Sequence, residues 1–565
     1  MRDWNRRSFM LGTGLAAAAV CASAQTEQGQ RRRVRVDVKS LIDAERKRIT
    51  EAMVREDIPG VAVCLIHDGQ LAWTEGFGVA DRRSKRRIAP DTMFSIQSTS
   101  KNFTATAIML AVQRGILDLD EPITAYLPDF TVHSRFEVRP QEKMTLRMLL
   151  GNRAGFTHEA PVGNNFDPEF ASFEAHVRSI SQTWLRFPVG ERYRYSNLGF
   201  DLAGYILQVR MGMPFADCLR EMIFEPLGMK DSTVATEVYA SRANRALGHQ
   251  QGYATVPLKT PLIPSGGVYT SARDIAAYCM FHLNRGRVNG TALLQEALWS
   301  EMHAFSFGGD YALGAIRKEL RYGGTNVRLL SHAGGGFGFG CVFQYCPAAG
   351  LAWVALFNRP VSAAYRFGTQ LIEDALTGRF GAATPRLSVD DLPSIALPTA
   401  WLQKYAGRYI GRNATAELEV RDGTTLALRT GDKMSPIRFV SPDELVIAGA
   451  QGDAVLYRYA PASALAPAHL ECWIGENSLD YNDGAHDAPG PDEPSWTPYL
   501  GTYRLEQWGK PGDEILIQRK NGYLYLNDTR LIAEHERGLF FTSDGEAVDF
   551  RHDAPTWRNV RMQRV

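Results

Sequence analysis

The 565-residue sequence is 45% hydrophobic and 22% charged, a composition that supplies apolar cores for about three domains and excludes a disordered chain. A formal net charge of +1 excludes a basic field that tracks nucleic acid, and the run Arg31-Arg32-Arg33-Val34-Arg35 reads as a solvated arm. The His residues form neither an H-E-x-x-H motif nor a Cys/His ligand cluster, so no metal is expected.

In chain order, residues 1–24 have the layout of an export signal. Asn5-Arg6-Arg7-Ser8-Phe9-Met10-Leu11 resembles the twin-arginine pattern, a short apolar run follows, and Ala22-Ser23-Ala24 is an A-x-A cleavage site. A mature chain starting near Gln25, periplasmic or secreted, is expected. Cys21 raises a lipoprotein alternative, but Ala18-Ala19-Val20 before it is a poor lipobox. No other stretch is long and apolar enough to cross a bilayer, so no stable membrane insertion is expected. The cysteines beyond the signal, Cys64, Cys218, Cys279, Cys341, Cys346 and Cys472, are too sparse for a disulfide framework. Cys341 and Cys346 fall on opposite faces of one strand-like run, which argues against their pairing.

Helical spacing from Asp37 to Asp57 ends at Pro59-Gly60, and Val61–Ile66 and Leu71–Glu75 flank the turn signal His67-Asp68-Gly69-Gln70, a hairpin. Next comes Phe94-Ser-Ile-Gln-Ser-Thr-Ser-Lys101, which sets Ser98 and Lys101 one helical turn apart at the mouth of Phe103–Val112, a run without charge that predicts a buried helix stopped at Gly115. A lysine desolvated beside such a helix has a lowered pKa and becomes a base for the serine. Thr145–Leu150 and Phe170–Leu185 show helical spacing around a Gly-, Asn- and Pro-rich loop. Tyr195-Ser196-Asn197 then precedes the apolar helix 200–210; it reads either as an aromatic turn with an Asn helix cap or as a phenol and an amide serving the Ser98 site. Ser331-His332-Ala333-Gly334-Gly335-Gly336 runs toward strands at Val342-Phe343 and Leu351–Phe357, and its glycines permit close backbone approach along a strand edge. The spacing is not that of a G-x-G-x-x-G dinucleotide loop, and no organic cofactor is expected.

Past a Pro-bearing linker at 384–400 the pattern turns to short alternating strands. Tyr405-Ala-Gly407-Arg-Tyr409 and Tyr499-Leu-Gly501-Thr-Tyr503 mark two related all-β modules, 396–480 and 494–565, for which small closed barrels are the natural form. Neither carries a nucleophile and base, so they are expected to shape access to a site in the domain 37–383.

In this order, Ser98-x-x-Lys101, Tyr195-x-Asn197 and His332-x-Gly334 resemble the motifs of the penicillin-recognising serine hydrolases: class C β-lactamases, DD-peptidases, esterases of that fold and D-aminopeptidases. The resemblance spans roughly residues 40–380 and includes Glu225-Pro-Leu-Gly-Met229 and Pro264-Ser-Gly-Gly-Val-Tyr-Thr-Ser-Ala272. It implies an α+β domain, an antiparallel sheet with helices, followed here by two lipocalin-like barrels in the layout of D-aminopeptidase. It also implies Ser98 as acylated nucleophile, Lys101 and Tyr195 as the proton-transfer pair with the base open between them, and Asn197, His332 and Gly334 as substrate-binding residues. The oxyanion donors would be the backbone N–H groups of Ser98 and Gly335. The departure is His332 where β-lactamases usually carry Lys. A mostly neutral imidazole favours an amidase, aminopeptidase or esterase acting on small peptide, amide or ester substrates over a β-lactamase or DD-carboxypeptidase, with a gain on anionic substrates expected below about pH 6.5. A catalytically inactive ligand- or cell-wall-binding protein is the alternative from another class.

Overall fold

The computed structural model describes residues 37–565 except 167–170, 251–260, 305–310, 384–392, 412–414, 431–432, 449–453, 461–468, 473–478, 483–492, 508–511, 521–522, 528 and 543. The export signal, the arm 31–35 and most of the linker before Ala400 lie outside the described residues.

Asp37 caps the first helix, Val38–Arg55, by accepting from the Lys39 N–H at 3.1 Å. Strands Gly60–His67 and Gln70–Gly78 are joined by Asp68 (φ 51°) and Gly69 (φ 72°), the two left-handed residues of a tight hairpin. They form one side of a six-stranded antiparallel sheet that continues through Leu351–Phe357, Phe339–Cys346, Thr325–Gly336 and Ile316–Tyr322. Along Gly60–His67, Ala62, Cys64 and Ile66 enter one core while Val61, Val63 and Leu65 enter the other, so the strand reads as a continuous apolar run because both its faces are covered. Val38–Arg55 and Thr369–Phe380 pack on one face; Ala272–Leu283 and the helical region around Ser98 pack on the other. Cys341 and Cys346 fall in different cores, and they, Cys64, Cys218 and Cys279 are free buried thiols.

Helix Ser100–Gln113 is buried at every residue from Ser100 to Ala111, and Gly115 (φ 68°) ends it. The helix expected over 170–185 is shorter, Phe173–Ser179 with a 3-10 turn to Gln182. Ser172 caps its start through the Ala175 N–H at 3.1 Å, and from Thr183 the chain is extended, where Leu185 N–H donates to the His133 carbonyl. A tertiary pairing overrides helical propensity there.

Two closed eight-stranded antiparallel barrels follow, Gly407 to Asn482 and Gly501 to Arg564. The sequence repeat is a shared local structure: Tyr409 Oη donates to the Tyr405 carbonyl and Tyr503 Oη to the Tyr499 carbonyl, both at 2.9 Å, and the glycine between each pair has a φ near 145°.

Candidate active site

Strand Met93–Ser95 pairs with Tyr269–Ser271, and the chain then turns sharply at Gln97, whose φ of 50° is uncommon for a residue with a side chain. Gln97 Nε2 donates to Ser95 Oγ at 2.8 Å and helps hold this turn. Its effect is to lift Ser98, half-buried, out of a run of buried neighbours. Ser98 therefore sits in the 3-10 turn Gln97–Thr99 that leads into the helix, while Lys101 lies in the first helical turn.

Lys101 Nζ is 3.3 Å from Ser98 Oγ, 2.7 Å from Asn197 Oδ1 and 2.9 Å from the Ser265 carbonyl oxygen, and it lies 4.7 Å from the Tyr195 ring centroid. Burial pushes its ammonium down to about 7, against the opposing pull of the Asp201 and Glu159 carboxylates. A neutral amine has two N–H donors and one lone pair. Asn197 Oδ1 and the Ser265 carbonyl can only accept, so they take both donors, and the lone pair is left for the Ser98 hydroxyl.

Asn197 reaches Lys101 because Ser196, and not Asn197, caps helix Asn197–Met211, with its Oγ accepting from the Leu198 N–H at 3.1 Å. One turn on, Asp201 accepts from Ser265 N–H (2.9 Å), Ser265 Oγ (3.0 Å) and His176 Nε2 (3.2 Å), fixing the carbonyl that meets Lys101. Burial pushes the His176 imidazole down, but Asp201, the Val162 carbonyl and Glu159 together outweigh it and leave it raised. Glu159 is buried too; burial pushes its carboxyl up, yet His158 and two Asn165 N–H groups hold it below its ordinary value.

Gly334 lies on strand Thr325–Gly336 against the turn that carries Ser98. A Cβ there would be 1.9 Å from the Ile96 oxygen and 3.0 Å from the Ser98 nitrogen, so only glycine lets the strand edge come this close. Gly335 and Gly336 line a cavity of about 390 Å³ together with Gln97, Ser98, His158, Asn165, Phe166, Tyr195, Asn197, Gln250 and, from the second barrel, Gln507. His332 does not line it. The residue is 4% exposed, with Nδ1–H donating to the Ala333 carbonyl at 2.7 Å and Nε2 accepting from Tyr311 Oη at 3.1 Å. Burial, with Lys101 nearby, pushes the imidazole down to about 3, so the imidazolium expected below pH 6.5 does not form there.

The structure thus brings Ser98, Lys101, Tyr195, Asn197 and Gly335 together and seats His332 behind them. Sequence reasoning missed Asp201, Ser265, Gln97, His158, Asn165 and Gln507. Asp201 carried a signal, being a charge in an apolar helix one turn from Asn197 on the same face; Gln507, from another domain, carried none.

A helical layer on an antiparallel sheet, with a Ser-Lys-Tyr group where they meet, is the architecture of the penicillin-recognising serine hydrolases. The chain belongs to the beta-lactamase family, whose model matches residues 46–377, more than half of its length. It is 29% identical over 344 residues to the unguisins hydrolase ungD' of Aspergillus campestris (strain IBT 28561), a match covering 57% of this chain and 62% of that protein. The chain spans less than two thirds of the length of the curated relatives it matches first. Among solved structures, SurE is similar with a TM-score of 0.56 at 20% identity over 79% of this chain and 100% of that one. The octameric penicillin-binding protein homologue from Pyrococcus abyssi is similar with a TM-score of 0.51 at 21% identity over the same shares. These two likenesses are of fold.

Proposed function

We propose that the chain is an exported serine hydrolase that cleaves neutral amide or ester bonds through an acyl-enzyme on Ser98. The observation that carries this reading is Lys101 Nζ, buried, its pKa brought to about 7 and 3.3 Å from Ser98 Oγ, with acceptors at its other two contacts that leave a neutral amine's lone pair for Ser98. In the reaction the Ser98 proton passes to Lys101 as Oγ bonds to the substrate carbonyl carbon. The resulting oxyanion is held by the N–H groups of Ser98 and Gly335, each such donor contributing roughly 3 to 4 kcal/mol. Collapse breaks the bond to the leaving group, which takes the proton through Lys101 or the Tyr195 phenol. Water then attacks the acyl-enzyme by the same route in reverse and frees Ser98.

Neutral substrates are supported by the cavity wall, which among the described residues carries no Lys, Arg, Asp or Glu. It carries carboxamides instead. Gln97 and Asn165 bond the protein through their NH2 groups, and Asn197 and Gln250 through their oxygens, so each keeps its other polar atom for a substrate amide. With His332 neutral and capped by Tyr311, no cation among the described residues stands on the strand edge to receive a carboxylate, which weighs against a β-lactamase or DD-carboxypeptidase. The relative named as an unguisins hydrolase agrees with hydrolysis as the reaction class. Export rests on the twin-arginine-like leader; among the described residues no helix is long and apolar enough to cross a membrane.

A fluorophosphonate probe followed by peptide mass spectrometry is expected to place the adduct on Ser98 and to lose it in Ser98→Ala. Neutral acyl amides and esters should then be turned over in preference to carboxylate-bearing β-lactams. Labelling unchanged in Ser98→Ala would overturn the nucleophile, and a preference for carboxylate substrates would overturn the substrate class.

A further inference from the structure

The second barrel grips the segment Thr157-His158-Glu159 of the catalytic domain at alternate residues. Thr157 Oγ donates to Glu546 Oε2 at 2.6 Å, and Asn559 Nδ2 donates to the Glu159 carbonyl at 2.8 Å. Between them His158 points the other way, lining the cavity and stacking on the Tyr195 ring with centroids 5.9 Å apart. The Thr157 carbonyl accepts from Ser196 Oγ at 2.6 Å, and Ser196 is the residue between Tyr195 and Asn197. From the other side the same turn is pinned by Asn152, whose Oδ1 accepts from the Ser196 N–H at 3.0 Å.

Glu546, Thr157 and Ser196 are all buried, and Arg186 Nε lies 3.2 Å from the other Glu546 oxygen. An acidic side chain is costly to bury unless its oxygens are partnered, and both are partnered by the catalytic domain. Arg186 also pairs with Asp544 at 2.8 Å, so the docking of the barrel does not depend on Glu546 alone.

We propose that Glu546, in the second barrel, is a positioning residue of the catalytic centre, acting through Thr157 and Ser196 to hold the Tyr195 phenol and the Asn197 amide. The barrel in this view is part of the support of the reacting groups as well as a wall of the cavity. The inference rests on the acyl-enzyme reading above. It predicts that a bond across a domain interface sets the rate of acylation, because an amide held to Lys101 at 2.7 Å tolerates little displacement.

The test uses full-length protein, with active Ser98 counted by probe titration so that loss of folded enzyme is separated from loss of rate. Thr157→Val keeps the shape and the carbonyl but removes the hydroxyl, and Glu546→Met removes the acceptor. Each is expected to lower the acylation rate about tenfold with KM changed little, and the double variant to lower it no further than either single one. Thr157→Ser and Glu546→Gln, which keep a donor and an acceptor, should stay within about twofold of wild type. Wild-type rates per active Ser98 in Thr157→Val and Glu546→Met, or strictly multiplicative losses in the double variant, would overturn the proposal. A failure of Ser98 to be labelled in the wild type would instead strike the acyl-enzyme reading.

Discussion

Lys101 shows how far burial alone can lower a lysine ammonium, here to about 7. Around it stand Ser98, Asn197, the Ser265 carbonyl, Tyr195 and His332, and the carboxylates of Asp201 and Glu159 favour its charged form against the larger effect of burial. The proposed acylation requires the neutral amine, so its rate should rise with pH through about 7 and level off above. Asp201→Asn removes one of the opposing charges and should move this rise to lower pH by roughly one unit. A pH–rate profile of probe labelling reads the shift, and an unmoved profile would mean that Lys101 is not the group that titrates. His332 makes the opposite kind of prediction, about stability. Its imidazole holds a pKa of about 3 when folded, against roughly 6.5 unfolded, so between these values the unfolded chain binds the proton and the folded one does not. The contribution is fully present above about pH 6.5 and is lost as pH falls toward 3; at pH 4.5 the loss is about 2 to 3 kcal/mol. Denaturant titrations at pH 7 and 4.5 should show a smaller acid loss in His332→Asn than in wild type.

At the scale of elements, the site is assembled where three short structures meet: the Ser98 turn, the start of helix Asn197–Met211, and the strand end at Gly334. The first is shaped by a left-handed Gln97, the second by a Ser196 cap that frees Asn197, and the third by the absence of a side chain. Gly334→Ala places a methyl inside van der Waals contact of both the Ile96 oxygen and the Ser98 nitrogen. The strand must back away, at a stability cost of about 1 to 3 kcal/mol, and the Ser98 and Gly335 N–H groups proposed to hold the oxyanion should lose their alignment. A hundredfold or greater loss of kcat with a circular dichroism spectrum like that of wild type is the expected result. Full activity in this variant would mean that the strand edge plays no part in holding the oxyanion.

For the whole molecule, the second barrel closes over the catalytic domain through a mixed seam. Arg186 meets Asp544 and Glu546, while Trp184 packs edge-on against His535 and Phe541. Gln507 extends this seam to the cavity itself. Gln507→Ala should therefore leave labelling by a small fluorophosphonate unchanged while raising KM severalfold for substrates with extended acyl or leaving groups. Equal KM values across a size series of amides in wild type and variant would remove Gln507 from the wall that substrates touch.

The order Ser98-x-x-Lys101, Tyr195-x-Asn197, His332-x-Gly334, the hairpin at Asp68-Gly69, the buried helix behind Ser98 and the Tyr-x-Gly-x-Tyr repeat were all legible in the sequence. Each is a local pattern: a turn that needs a left-handed pair, a face spaced at one helical turn, a strand that needs bare backbone. Local chemistry fixes such patterns wherever the chain later packs. The end of the helix near Gln182, the seating of His332 behind Tyr311, the Asp201–Ser265 support of Lys101 and the reach of Glu546 and Gln507 toward the site were decided only by the tertiary structure. They depend on which distant segments come within hydrogen-bond range and on how much water burial removes. Glu546 and Thr157 lie 389 positions apart in the chain, and only the docking of one domain on the other makes them neighbours.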